Sequence, residues 1–126
     1  MPEIIVVDDD PLAGGLMTDV LGEAGYTVEW INDSTKAVAA IKAGKPRLVV
    51  LDILMPGIDG MTLLKTIKED AEIKDIQAVM VSGKAFQADI DRAKRAGAAL
   101  FITKPYSPDA IAKQIGDLIG PPQKNP

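Results

Sequence analysis

Five side chains scattered along the sequence, Asp8, Asp9, Asp52, Ser82 and Lys104, offer three carboxylates, a hydroxyl and an ammonium. Two carboxylates about 4 Å apart repel by about 4 kcal/mol at an effective dielectric near 20, so such a cluster holds protons or recruits a cation. A hard divalent ion bound through one or two carboxylates and several waters suits it, and magnesium fits best. Beside that ion, a lysine neutralises phosphoryl oxygens and a hydroxyl donates a hydrogen bond to them. The chain contains no His and no Cys. That excludes Ser-His-Asp chemistry, the common zinc sites, thiolate nucleophiles and a phosphohistidine carrier. Gly14-Gly15 belongs to no nucleotide-binding loop pattern. The expected nucleophile is therefore a carboxylate, and Asp52 is the choice, at the apex of its loop.

These groups work together only if the chain carries them to one place. Leu48 to Leu51 is a short apolar run bounded by turn formers, which suits a strand buried on both faces of a parallel sheet. Asp52 ends it, Met55-Pro56-Gly57 forces a loop, and Asp59-Gly60 caps and starts a helix. Ile4 to Val7, all β-branched, is a second buried strand ending in Asp8-Asp9-Asp10. Asp10 is the expected N-cap of a helix beginning at Pro11. That helix should run to about Ala24, with Leu12, Leu16, Val20 and Ala24 on one face. Tyr26 to Trp30 reads as a strand near the sheet edge, and Ser34 should cap a helix to about Ala43. Leu63, Leu64 and Ile67 mark the next helix, Ile76 to Val81 a fourth strand ending at Ser82, and Ala85 to Arg95 a helix. Leu100 to Ile102 is a fifth strand ending in Thr103-Lys104-Pro105, and Pro108 to Ile119 a last amphipathic helix stopped by Gly120. Five strands alternating with five helices imply a parallel sheet covered on both faces. Right-handed crossovers then put every strand's carboxyl end on one edge, where open α/β sheets bind ligands.

At 126 residues the chain forms one domain with a sizeable core. A net charge of −4 and a pI near 4.7 argue against nucleic acid or an anionic membrane as a direct partner. The apolar stretch in MPEIIVVDDD is too short for a signal peptide or membrane span. The expected location is the cytoplasm. The final PPQKNP reads as a disordered tail or a severed linker, so the domain is expected over residues 1–119 with a flexible tail at 120–126.

VVDDDP, LVVLDILMPGIDG, MVSG and FITKP resemble, in order and spacing, the marks of two-component response-regulator receiver domains, over Glu3 to Ile119. The resemblance implies a flavodoxin-like, doubly wound α/β fold with strand order 2-1-3-4-5. It makes Asp52 the phospho-acceptor and Asp8 and Asp9 the acidic pair holding magnesium, with the backbone carbonyl of Leu54 as a further ligand. Ser82 becomes the switch hydroxyl, Lys104 the phosphoryl-pairing lysine and Phe101 the switch aromatic. The Lys104-Pro105 bond is implied to be cis. Leu54 and Lys84 occupy positions that tune attack by water, and an apolar residue plus a long cation there imply slow self-dephosphorylation. The partners implied are a sensor histidine kinase or histidine phosphotransfer protein, and a downstream protein or an output domain not visible in this sequence. No other enzymatic activity is implied.

Two other classes compete. Asp8-x-Asp10 also resembles the aspartate pair of haloacid-dehalogenase-type phosphatases, with Ser82 and Lys104 in suitable order; Pro11-Leu12 breaks that pattern, and no cap domain is available. An interaction module that is never phosphorylated is the third reading, and it predicts partner binding indifferent to magnesium.

Overall fold

Short runs rich in branched and apolar residues become the strands, and the glycines and prolines between them mark where each helix starts or stops. The structure is a computed structural model describing residues 1–83 and 86–123. Its strands are β1 (Ile4–Val7), β2 (Val28–Ile31), β3 (Leu48–Asp52), β4 (Gln77–Ser82) and β5 (Leu100–Thr103). Its helices are α1 (Pro11–Glu23), α2 (Ala37–Gly44), α3 (Gly60–Glu69), α4 (Gln87–Arg95) and α5 (Pro108–Ile119). The strands form one sheet, all pairs parallel, in the order β2-β1-β3-β4-β5. This is the doubly wound architecture expected from the sequence.

Because β1 and β3 lie inside the sheet and are covered on both sides, every residue of each is buried. Their alternate side chains feed two cores. Ile5, Val7, Val49 and Leu51 meet Ala37 and Ile41 of α2, Leu63, Leu64 and Ile67 of α3, and Ala93 of α4. On the other face Ile4, Val6, Leu48 and Val50 meet Met17, Val20 and Leu21 of α1 and Ile111 and Ile115 of α5. The sheet is thus held between a layer of two helices and a layer of three.

Two expectations are corrected. The buried residues of α1 are Gly14, Met17, Val20 and Leu21, while Leu12 is 83% and Leu16 51% exposed. Among its thirteen residues only Thr18, Asp19 and Glu23 are polar, so periodicity alone left its inward face open. Ser34 does not cap α2: Asp33 caps a single 3-10 turn at Ser34–Lys36 by accepting from the Thr35 N–H, and α2 follows. The buried Ser34 hydroxyl instead donates to the Pro56 carbonyl and accepts from the Ile58 N–H, both at 2.9 Å. Beyond Gly120 the chain makes contacts with the domain as far as Gln123. The Gln123 N–H donates to Glu3 Oε2 at 3.0 Å, and Arg47 Nη1 donates to the Pro121 carbonyl at 3.4 Å. The remainder, 124–126, lies outside the described residues, as do Lys84 and the expected helix start at Ala85.

Candidate functional site

Parallel pairing places the ends of β1, β3, β4 and β5 side by side, and the acids and the lysine follow directly from those ends. Val7 pairs with Leu51, Asp52 with Val81, and Ser82 with Thr103. Asp8, Asp9 and Asp52 therefore meet: each can offer a carboxylate oxygen within 4.8 Å of the others'. Lys104 Nζ lies 3.8 Å from Asp8 Oδ2 and 3.9 Å from Asp52 Oδ2. Those separations are too long for hydrogen bonds. The ammonium thus acts on both carboxylates by charge alone.

Each group is held by local backbone. Asp8 Oδ1 accepts from the Asp10 N–H at 2.9 Å, closing the turn that leads into α1. The backbone of Leu54 favours the charged form of the Asp52 carboxylate. The Ser82 carbonyl accepts from the Lys104 N–H at 2.8 Å, joining the hydroxyl-bearing and lysine-bearing strand ends. Lys104-Pro105 is cis. Ser82 is only 2% exposed, and beside it a cavity of about 240 Å³ opens between Leu54, Met61 and Arg92.

The electrostatics follow from the floor of the rim. Below Asp8, Asp52 and Lys104 lie Val6, Val50, Val81 and Met17, enclosing a void of about 10 Å³. A space that small is at the limit of what holds one water molecule. Burial against this floor, followed by the charge of Asp8, pushes the Asp52 carboxyl up to about 6. Asp8 is also raised, first by burial, although the Asp10 N–H and Lys104 pull it back. Three carboxylates crowded on one rim, all hard oxygen donors, form a set that a hard divalent cation fits.

Some predicted residues stand apart. Asp10 is exposed and caps α1, its carboxylate accepting from the Leu12 N–H at 2.9 Å; a nucleophile pair Asp8/Asp10 finds no support there. Phe101 is half-buried against the core on the α3 and α4 side, outside the cluster. Tyr106 was not anticipated. It lines the same void as Asp8 and Asp52, and its hydroxyl is raised, first by burial and then by the Asp8 charge. Its only signal in the sequence was its place two residues beyond Lys104.

A family model described as a response regulator receiver domain matches residues 4–116. The chain is 32% identical over 118 residues to the transcriptional regulatory protein BaeR of Escherichia coli, a match covering 94% of this chain and 48% of that protein. The chain thus spans about half the length of the curated relatives it matches. Among solved structures, the receiver domain of NtrX from Brucella abortus superposes with a TM-score of 0.85 at 34% identity, covering 92% of this chain and 97% of that one. The chemotaxis protein CheY4 of Vibrio cholerae has the same fold, with a TM-score of 0.86 at 23% identity and coverage of 94% and 98%.

Proposed function

The chain belongs to the family of response-regulator receiver domains, which histidine kinases phosphorylate on aspartate, and from that premise we propose that Asp52 is the residue phosphorylated here. One observation carries the reading: Asp52 is buried at the end of central strand β3, with Asp8, Asp9 and Lys104 gathered around its carboxylate. A carboxyl raised to about 6 is more basic than an ordinary aspartate yet still ionised at pH 7, which favours nucleophilic attack. Asp8, Asp9, Asp52 and the Leu54 carbonyl would hold magnesium, which when bound neutralises charge on the transferred group.

An Asp52 oxygen attacks the phosphorus of a phosphohistidine on a sensor histidine kinase or histidine phosphotransfer protein. The P–N bond breaks, the P–O bond of an acyl phosphate forms, and the imidazole leaves. Lys104 pairs with the phosphoryl oxygens, and Ser82 donates to one of them and draws its loop inward. Phe101 follows, reshaping the face of α4, β5 and α5 for a downstream protein or an output domain. Carrying that switch from 1:99 to 99:1 takes about 5.5 kcal/mol of preference. Leu12 and Leu16 are exposed on α1, the helix that follows directly from Asp10, and exposed leucines there suit docking of the phosphodonor.

The protein is a switch and not an enzyme acting on other substrates. Slow self-dephosphorylation, with Leu54 and Lys84 shielding the acyl phosphate, belongs to the same reading; a lifetime of seconds would overturn it. The receiver takes in residues 1–119, with the segment to Gln123 docked on it. Among the described residues no helix is long and apolar enough to cross a membrane, and a cytoplasmic location is proposed. Relatives of twice the length are named DNA-binding or transcriptional regulators; with a net charge of −4, this stretch is not itself expected to bind nucleic acid.

The test is incubation with a small-molecule phosphodonor and magnesium, read by intact mass. One added phosphoryl group is expected on the wild type and none on Asp52→Asn. Labelling that persists in Asp52→Asn refutes the assignment.

A further inference from the structure

Trp30, the only tryptophan of the chain, ends up beside the acidic rim although it belongs to edge strand β2. It pairs in register with Val6, and its ring packs on the α1 and α5 side of the sheet. From there its Nε1–H donates to the backbone carbonyl of Asp8 at 2.8 Å. That carbonyl belongs to the peptide unit joining Asp8 to Asp9, so the bond orients the link between two of the three clustered acids. Asp8 is secured in other ways as well, through its N–H to the Ile31 carbonyl at 3.2 Å and its carboxylate to the Asp10 N–H. Asp9 is not: it is exposed, and among the described residues no hydrogen bond or ion pair holds its carboxylate. Its backbone nitrogen belongs to the peptide unit that Trp30 holds.

The first turns of α1 are built to admit the indole. Gly14 is buried in the helix, and a Cβ there would overlap the Trp30 ring around Nε1 and Cε2. A glycine inside a helix costs about 1 kcal/mol relative to alanine, and at Gly15 and Gly22 an added Cβ would meet nothing within 4 Å. Gly14 alone among these three is required by close packing, and what it packs against is the hydrogen-bonded edge of the ring.

We propose that Trp30 is a positioning residue for the cation site: through its bond to the Asp8 carbonyl, with Gly14 making room, it holds the Asp8–Asp9 peptide so that both carboxylates face the same ion. This rests on the reading of Asp8, Asp9 and Asp52 as the magnesium ligands. Groups that orient metal ligands typically change affinity by about tenfold or more when removed.

Magnesium affinity of the purified chain, measured by titration calorimetry, needs neither the fluorophore nor a phosphodonor. Trp30→Phe keeps an aromatic ring but loses the donor, and is expected to weaken binding about tenfold. Gly14→Ala keeps the tryptophan but pushes the ring away, and should weaken binding in the same direction. The double variant should be little worse than either single one, because both remove one contact. Val28→Ala loosens the same strand without touching Asp8 and should bind as the wild type does. Wild-type affinity in Trp30→Phe, or an equal loss in Val28→Ala, overturns the inference while leaving the magnesium site standing. A wild type that binds no magnesium overturns the metal assignment, and this inference with it.

Discussion

Asp52 is asked to stay deep enough to be shielded from water and still be charged enough to attack phosphorus. Burial and the Asp8 charge raise it from an ordinary 3.8 to about 6, which has a thermodynamic consequence in the metal-free protein. A raised carboxyl binds its proton more tightly in the folded state than in the unfolded chain. Its favourable contribution is therefore complete below about pH 4 and is lost as the pH rises through about 6. Asp52→Asn removes that loss: at pH 7.5 without magnesium it should be more stable than the wild type by about 2 kcal/mol, with the difference vanishing near pH 4. Urea unfolding at both pH values checks this, and magnesium should narrow the gap at pH 7.5 by stabilising only the wild type. Asp8 shifts in the same direction and adds to the trend.

Between residue and fold, the loop from β3 to α3 shows how a site is held by what lies under it. Asp59 caps α3 by accepting from the Thr62 N–H at 2.8 Å, and the Gly60 N–H donates to the Ile53 carbonyl at 2.9 Å. A Cβ at Gly60 would overlap the Asp52 carbonyl oxygen, so only glycine lets α3 begin that close to the nucleophile. The far side of the loop is fastened by Ser34, whose hydroxyl serves both Pro56 and Ile58. Ser34→Ala takes the shared partner from the part-buried Pro56 carbonyl and Ile58 N–H, and should cost about 1 kcal/mol. The expected signature is a lower urea midpoint at unchanged slope. Phosphorylation of the same variant should slow, because the loop carrying Leu54 is less firmly held.

Across the whole molecule the two ends of the sheet do different work. The carboxyl edge carries the acids and Lys104, while the opposite edge carries a clamp centred on Glu3. Its carboxylate accepts from Thr27 N–H at 3.1 Å, Arg47 Nη1 at 3.1 Å and Gln123 N–H at 3.0 Å. Burial alone would raise Glu3, but the hydrogen bonds from Gln123, Thr27 and Arg47 bring it below its usual value. The Tyr26 hydroxyl adds a bond to the Gly120 carbonyl at 2.7 Å, so the end of α5 and the residues after it are tied to the start of the chain. Glu3→Ala should cost about 1–2 kcal/mol, because Arg47 loses its carboxylate and the Thr27 and Gln123 N–H groups lose their acceptor. Its initial rate of phosphorylation by a small-molecule donor at 25 °C should match the wild type, since the clamp lies at the opposite edge from Asp52.

Local chemistry was enough to mark the strands, the starts of α1, α3 and α5, and the acids, hydroxyl and lysine that end the strands. β-branched runs, Asp10 before Pro11, Asp59 before Gly60 and Pro108 act within a few residues of themselves, so the chain order alone displays them. Alternation then required a parallel sheet, which sends all the strand ends to one rim. What local pattern could not encode were the choices made between distant segments. α1 had two apolar faces to offer, and the fit of Gly14 against Trp30 accompanies the one turned inward. Ser34 reaches across 22 residues to Pro56, and Gln123 across 120 to Glu3. Tyr106 and Trp30 came to the site for the same reason: packing and hydrogen bonding between remote elements are settled only when the whole core closes, because each partner's position depends on all the others.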